Sequence, residues 1–311
     1  MYSIETLLKL MIESKASDLF ISLGSYPALT IGSDVVSLKE EKVSTETLQD
    51  FRKSFLTSEQ EDVFIKEKEL DFAYSFPGVG RFRVNYFLQR GSDAMVVHYI
   101  PTAIKTLDEL GLPKNFSKIA LEDRGLVLIV GSAGSGKSTT LAALIDHRNQ
   151  NKTGHILTLE DPIEFLHQHK KSIVNQREIG QDSHSFKRAL KSALRENPSA
   201  LLMGEIRDME TIATAVNFAE TGHLVLSTMH ATNTQLAVER IFNIYGPDLQ
   251  KAARDQLSEN INAIIAQRLV PTKDKQLIPA IEILLPSSRV KDLIKKGEIH
   301  LLPRALEFSR T

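Results

Sequence analysis

The sequence has no cysteine and no tryptophan among its 311 residues, only 6% aromatics, and no excess of either charge. Lack of cysteine excludes a disulfide framework, a cysteine-ligated zinc, an iron–sulfur cluster and a thiol nucleophile. With 38 Lys+Arg against 39 Asp+Glu the net charge is −1, which weighs against a protein whose main partner is a phosphate backbone. Few aromatics leave little for stacking on unpaired bases. Nowhere is there an apolar run near the roughly 18 residues that span a bilayer; one of the longest, Leu126 to Val130, has five. The first residues carry no basic leader, and Ile4, Leu7, Leu8, Met11 and Ile12 recur at helical spacing. An amphipathic helix is expected there rather than a signal peptide. The expectation is a soluble protein, with no nucleic acid as partner and no direct membrane insertion.

At about 150 residues per domain the length accommodates two domains. Residues 1–100 read as a small α+β module, with strands at Leu19–Leu23, Asp71–Phe76 and Arg81–Phe87 and a helical middle from Ser44 to Lys68. The third strand alternates strictly, so Arg81, Arg83 and Asn85 share one face and Phe82, Val84 and Tyr86 the other. An exposed strand face is an ordinary place for arginine, but here two guanidinium groups project together. Residues 101–113, with two prolines and a glycine, read as a linker. In residues 114–311 apolar strands (Leu126–Val130, Ile156–Leu159, Ala200–Met203, Leu224–Leu226) alternate with helices starting near Lys137, Ser185 and Met209. That alternation predicts an α/β fold, a parallel sheet with helices on both faces and ligands at the carboxyl ends of its strands. From Thr234 onward helical segments are expected, one of them over Ala252–Leu269.

The sharpest motif is Gly131, Ser132, Ala133, Gly134, Ser135, Gly136, Lys137, Ser138, directly after the apolar strand GLVLIV and before the helical stretch that opens with Ser138 and Thr139. This G-x-x-x-x-G-K-S pattern is a phosphate-binding loop. Its glycines turn backbone N–H groups toward phosphate oxygens, the lysine meets the β and γ phosphates, and the serine hydroxyl reaches Mg²⁺. ATP and Mg²⁺ are therefore expected. Nucleotide hydrolysis also needs carboxylates to polarise water and to organise the metal. Two strand ends supply them: Glu160 and Asp161, where Pro162 stops the strand, and Glu205 after Gly204. Glycine stands where a Walker B acid usually precedes the glutamate, so Glu160 and Asp161 are candidates for a metal role through water. His230 follows a third strand and is a candidate for sensing the γ-phosphate. His167 and His169 lie in HQHKK, read as an exposed basic loop and assigned no metal.

Taken together, GSAGSGKST, ILTLEDPIEFLH and LLMGEIRDMETIATAVNFAETGHLVLSTMHATNT resemble the PilT and PilU retraction motors of type IV pili, within the larger class of secretion and assembly ATPases. The resemblance extends from the N-terminal module through TLDELGLP and NQRE to near the C-terminus. It implies a RecA-like P-loop ATPase core with a PAS-like N-terminal domain and C-terminal helices. It also implies a homo-hexamer with ATP sites between subunits, completed by arginines of the N-terminal module, here Arg81 and Arg83 with Arg90 in reserve. Glu160 then belongs to the acidic box, Glu205 resembles the catalytic glutamate, both reach the metal through water, and His223 and His230 fall in the histidine box, with His223 a nucleotide contact. The implied work is pilus retraction at the cytoplasmic face of the inner membrane, against a platform protein of that membrane.

Two departures bear on the branch. His98 stands where retraction motors usually carry an arginine, and a histidine offers neither a permanent charge nor a bidentate fork, which implies weaker or pH-sensitive hydrolysis. Arg289-Val-Lys-Asp-Leu-Ile294 replaces Ala-Ile-Arg-Asn-Leu-Ile and, with NQREIGQDSHSF and GEIRD, leans toward the PilU-like branch, whose members assist retraction alongside a PilT-like partner. The chain also ends at Thr311, earlier than the resemblance leads one to expect. Related secretion or pilus-assembly ATPases remain the alternative. Many of those carry a long N-terminal domain and a four-cysteine insertion, while a Dot/Icm-type motor lacks both. A nucleic-acid motor on a similar core and a regulator that binds ATP without turnover are further alternatives. The charge balance disfavours the first of these and the intact Lys137, Ser138, Glu160 and Glu205 set the second.

Overall fold

The computed structural model describes residues 3–32, 34–39, 41–101, 103–273 and 277–307; Thr102 of the expected linker and the chain end at Thr311 lie outside them. It divides into two compact units, residues 1–102 and 103–311.

The first unit runs α1 (Ile4–Glu13), β1 (Asp18–Ser22), β2 (Ala28–Ile31), β3 (Asp34–Ser37), α2 (Thr45–Phe55), α3 (Ser58–Glu67), β4 (Glu69–Phe76), β5 (Gly80–Gln89) and β6 (Ser92–Ile100). Its helices start where the sequence caps them: Ser3, Ser44 and Thr57 accept the N–H groups of Thr6, Thr47 and Gln60. The strands form an antiparallel sheet in the order β3-β2-β1-β6-β5-β4. One face is buried, with Leu19, Ile21, Phe82, Val84 and Tyr86 in a core shared with Leu7, Leu8 and Met11 of α1 and Phe51 and Phe55 of α2. Alternation puts Arg81 and Arg83 on the other face. There Arg83 pairs across the strands with His98, and His98 with Asp18.

The second unit continues with α4 (Asn115–Leu121), β7 (Gly125–Val130), α5 (Lys137–Asn151), β8 (Gly154–Glu160), β9 (Ser172–Glu178), α6 (Phe186–Ala193), β10 (Ala200–Glu205), α7 (Met209–Glu220), β11 (Leu224–Met229), α8 (Thr234–Tyr245), α9 (Gln250–Asn260), β12 (Ile261–Pro271), β13 (Leu277–Leu284), α10 (Ser288–Lys296) and α11 (Leu302–Glu307). Its sheet has the order β13-β12-β7-β11-β10-β8-β9. All pairings are parallel except that of β13 with β12. All six residues of β7 are buried because both of its faces are covered: Leu126, Leu128 and Val130 join one core and Val127 and Ile129 the other. Leu107 and Leu112, ahead of α4, pack into the second of these cores.

The helix expected over Ala252–Leu269 ends at Asn260, and the chain continues as β12. Leu257, Ile261, Ile264 and Ile265 fit a helical stripe, but Ile264 and Ile265 enter opposite cores, as consecutive residues of a strand must. A short apolar run buried on both faces cannot be told from a helix by periodicity. The C-terminal region is therefore mixed, and its β12–β13 hairpin extends the sheet beside β7.

Arg148, near the end of α5, is 1% exposed. Its guanidinium donates to the carbonyls of Ala120 (3.0 Å), Glu122 (2.7 Å) and Ser199 (3.4 Å), tying the end of α5 to that of α4 and to the approach to β10. Arg148→Ala removes the donor to three carbonyls and leaves a void, which should cost about 2–4 kcal/mol. The urea midpoint of the transition reporting on this unit should fall accordingly. An unchanged midpoint contradicts the clamp.

Candidate active site

Six parallel strands among the described residues bring their carboxyl ends to one edge, and the phosphate-binding loop leaves that edge between β7 and α5. Its sharp turn needs left-handed backbone at Gly134 (φ 72°) and Gly136 (φ 84°). A Cβ on Gly131 would stand 2.4 Å from the Gln267 carbonyl oxygen, and one on Gly136 2.8 Å from the Gln267 amide, whereas Gly134 faces open space. The loop thus rests on β12 and opens on its other side. Lys137 Nζ donates to the carbonyls of Gly131 (3.1 Å) and Ser132 (2.9 Å). Burial pulls its pKa down, and the charges of Glu205 and Glu164 oppose that fall.

Beside the loop lies a cleft of about 590 Å³. Ala133 to Thr139 line one wall, Glu160, Asp161, Glu164, Phe165 and His167 another, and Gly204, Glu205, Arg207, Thr228 and His230 the third, with Leu269 of β12 at the margin. Glu205 ends β10 half-buried: Oε2 accepts from Arg207 Nη2 at 2.8 Å, and Oε1 lies 3.2 Å from His230 Nε2. Glu160 ends β8, where Oε1 accepts from Thr158 Oγ1 (2.6 Å) and from Gln176 Nε2 (3.2 Å). Burial pushes its carboxyl up to about 7, the Thr158 and Gln176 hydrogen bonds opposing the rise and the Glu164 charge adding to it.

The structure therefore brings Lys137, Ser138, Glu160, Glu205 and His230 to one cleft. It does not bring His223 there. That residue precedes β11, at the end where Leu224 pairs with Gly125, whereas His230 follows Met229, which pairs with Val130 beside the loop. The His223 ring instead packs edge-on against Phe218, with Nδ1 3.0 Å from the Phe218 carbonyl. HQHKK is not uniformly exposed: burial holds the His167 pKa down at about 4, and His169 Nδ1 accepts the Val174 N–H at 3.1 Å. Arg81 and Arg83 belong to the first unit; Arg83 is bound in a fork to Asp71, with Nε 3.2 Å and Nη2 2.5 Å from its two oxygens. His98 Nδ1 lies 2.9 Å from Asp18 Oδ1. The sequence reading missed Gln267, Gln176 and Arg207. Their partners Ser135, Glu160 and Glu205 were all singled out, but no spacing pattern ties Gln267 to a loop 132 residues away.

A polyphosphate with its divalent cation fits this cleft. The Ser135 hydroxyl is buried without a hydrogen-bond partner among the described residues, and the loop leaves open space at Gly134, which lines the cleft. Glu160, Asp161, Glu164 and Glu205 line the cleft with Lys137 and Arg207, so the two cationic groups attract an anionic ligand and a cation between it and the acids offsets their repulsion. The oxygen donors Ser138, Glu160 and Glu205 suit Mg²⁺.

A family model described as "Type II/IV secretion system protein" matches residues 94–289. The type IV pilus ATPase PilU of Pseudomonas aeruginosa is 46% identical over 306 residues, 98% of this chain and 80% of that protein. The crystal structure of the pilus retraction motor PilT with bound ADP superposes with a TM-score of 0.95 at 38% identity, covering 99% of this chain and 90% of that one. The ATPase DotB of Legionella pneumophila gives a TM-score of 0.83 at 28% identity, covering 98% and 86%.

The raised pKa of Glu160 has a consequence for stability. Protonated, its carboxyl stabilises the metal-free, nucleotide-free fold below pH 4.5, and this contribution is lost as pH rises through about 7. Glu160→Gln should abolish that loss, of order 1–3 kcal/mol. The wild type should then lose stability relative to the variant between about pH 5 and pH 8, read as the difference between their urea midpoints at each pH, because the oppositely titrating His167 is common to both. Equal pH dependence in both contradicts the burial of this carboxyl.

Proposed function

The chain belongs to the PilT/PilU type IV pilus ATPase family, within the type II/IV secretion ATPases, and from that premise we infer that it is a motor that hydrolyses ATP to drive retraction of type IV pili. One observation carries the chemistry: the phosphate-binding loop and the Glu205–His230 pair face each other across one cleft, with Glu160 on its flank. Loop N–H groups from Gly131 to Thr139 bind the β and γ phosphates, and Lys137 leaves its two carbonyls to meet them. Glu205, oriented by Arg207 and His230, positions the attacking water and takes its proton. Ser138 would hold Mg²⁺ directly, with Glu160 and Glu205 acting through water. Bound there, Mg²⁺ neutralises charge that builds on the phosphoryl group.

The finer assignments rest on the family resemblance and on the character of the surfaces. The core is RecA-like, which the strand order β12-β7-β11-β10-β8 supports, and the first unit is PAS-like. Residues 1–100 and 114–311 act as the two moving bodies, joined through 101–113. The protein works as a homo-hexamer at the cytoplasmic face of the inner membrane, on the platform protein of the pilus. A PilT-like ATPase is its partner in retraction, in keeping with the PilU-like sequence features. Arg81 and Arg83 serve a neighbouring subunit's site, where an arginine reaching the phosphoryl group is worth roughly 10³-fold or more in rate. Arg83 must exchange its Asp71 fork to do so. His98, engaged with Asp18, does not supply the missing fixed charge.

Live imaging of labelled pili in cells carrying Glu205→Gln tests the reading. Retraction events should become rare and surface pili accumulate, and the defect should depend on a related ATPase. Normal pilus dynamics would move the cargo to a secretion machine of the DotB kind.

A further inference from the structure

Gln267 occupies a position that a structural filler does not require. It is 5% exposed on β12, and both the nitrogen and the oxygen of its side-chain amide bond the phosphate-binding segment. Nε2 donates to the Ser135 carbonyl at 2.9 Å, and Oε1 accepts from Thr140 Oγ1 at 2.8 Å. One partner lies in the loop and the other in the first turns of α5, so a single side chain spans the bend between them. Gly131 and Gly136 are crowded against the same residue, through its carbonyl and its amide respectively.

Geometry then gives this contact a direction. The Ser135–Gly136 peptide is trans, since the cis bond among the described residues is Asp161–Pro162. In a planar trans peptide the C=O and the following N–H point opposite ways. Fastening the Ser135 carbonyl to Gln267 therefore turns the Gly136 N–H away from β12, toward the open side of the loop, where it has no hydrogen-bond partner among the described residues. The Ser135 carbonyl, which can only accept, keeps the amide from flipping: it requires the NH₂ on its side and leaves Oε1 for the Thr140 hydroxyl, whose donation anchors the other end of the amide.

We propose that Gln267 is a positioning residue of the nucleotide site, which orients the Gly136 N–H for the β-phosphate of a nucleoside diphosphate or triphosphate and so sets affinity for the phosphate chain rather than for the nucleoside. The proposal rests on the nucleotide-binding reading of the cleft. It also makes β12, which reaches the cleft again through Leu269, a part of the phosphate-binding apparatus.

The test is calorimetric titration of the full chain with ADP and with AMP, without metal. Gln267→Met keeps the volume and loses both hydrogen bonds, and Gln267→Glu keeps the acceptor for Thr140 but turns a carboxylate on the Ser135 carbonyl. Each should weaken ADP at least about tenfold and leave AMP within about twofold, so the ADP-to-AMP affinity ratio collapses. Thr140→Val, which removes only the bond that anchors Oε1, should weaken ADP by a few-fold and keeps the proposal testable where a Gln267 variant fails to fold. ADP affinity retained within about twofold in the folded variants, whatever their melting temperatures, overturns the proposal, as does a parallel loss of ADP and AMP. Absence of ADP binding by the unsubstituted protein would instead overturn the nucleotide reading beneath it.

Discussion

Parallel strand pairing is the constraint on which the site depends. Strands that all run the same way must deliver all their carboxyl ends to one edge, and here that edge receives the loop after β7, Glu160 after β8, Glu205 after β10 and His230 after β11. None of these groups is near another in sequence, and none needs a special backbone to reach the cleft apart from the loop itself. The loop does need one, with Gly134 and Gly136 left-handed and Gly131 too crowded for any side chain. Two-sided burial of β7 fixes its origin, and Gln267 of the neighbouring β12 fixes its shape.

The cleft holds opposed charges in a poised state. Lys137 rests on two backbone carbonyls in place of phosphate oxygens, and Glu205 is shared between Arg207 and His230. Both are strong polar partners that binding must exchange, and both keep the groups within the cleft meanwhile. Burial makes the Glu160 carboxyl costly to ionise, a cost that a cation would offset. In the first unit the helices cover one sheet face, and the opposite face presents the cross-strand row Asp18, His98, Arg83. Each arginine or histidine contact named there is made to a carboxylate of the same unit, Asp71 or Asp18.

Much of this was legible in the sequence where the chemistry itself dictates residue type. A buried strand followed by GSAGSGKS admits few readings, and carboxylates at the ends of apolar strands follow from the α/β pattern. Legibility failed where two physical solutions share one pattern. The run Ile261–Ala266 satisfies both a helical stripe and a doubly buried strand, and only its place beside β7 decides. His223 and His230 sit in one conspicuous motif, but the six-residue strand β11 between them, at about 3.3 Å per residue, sends them to opposite ends of the sheet. Gln267 and Arg148 were invisible because their partners lie far away in sequence and, the Thr140 hydroxyl apart, are backbone carbonyls, which leave no trace in residue type.

The central claim is that Glu205 activates the water that attacks ATP bound at the loop. Its most direct test pairs ADP binding with steady-state turnover of Mg-ATP by the purified protein and by Glu205→Gln. Binding should be preserved within a few-fold, while turnover falls by at least about a hundredfold. Turnover that survives the substitution at close to the wild-type rate would contradict the account and move the general base elsewhere in the cleft.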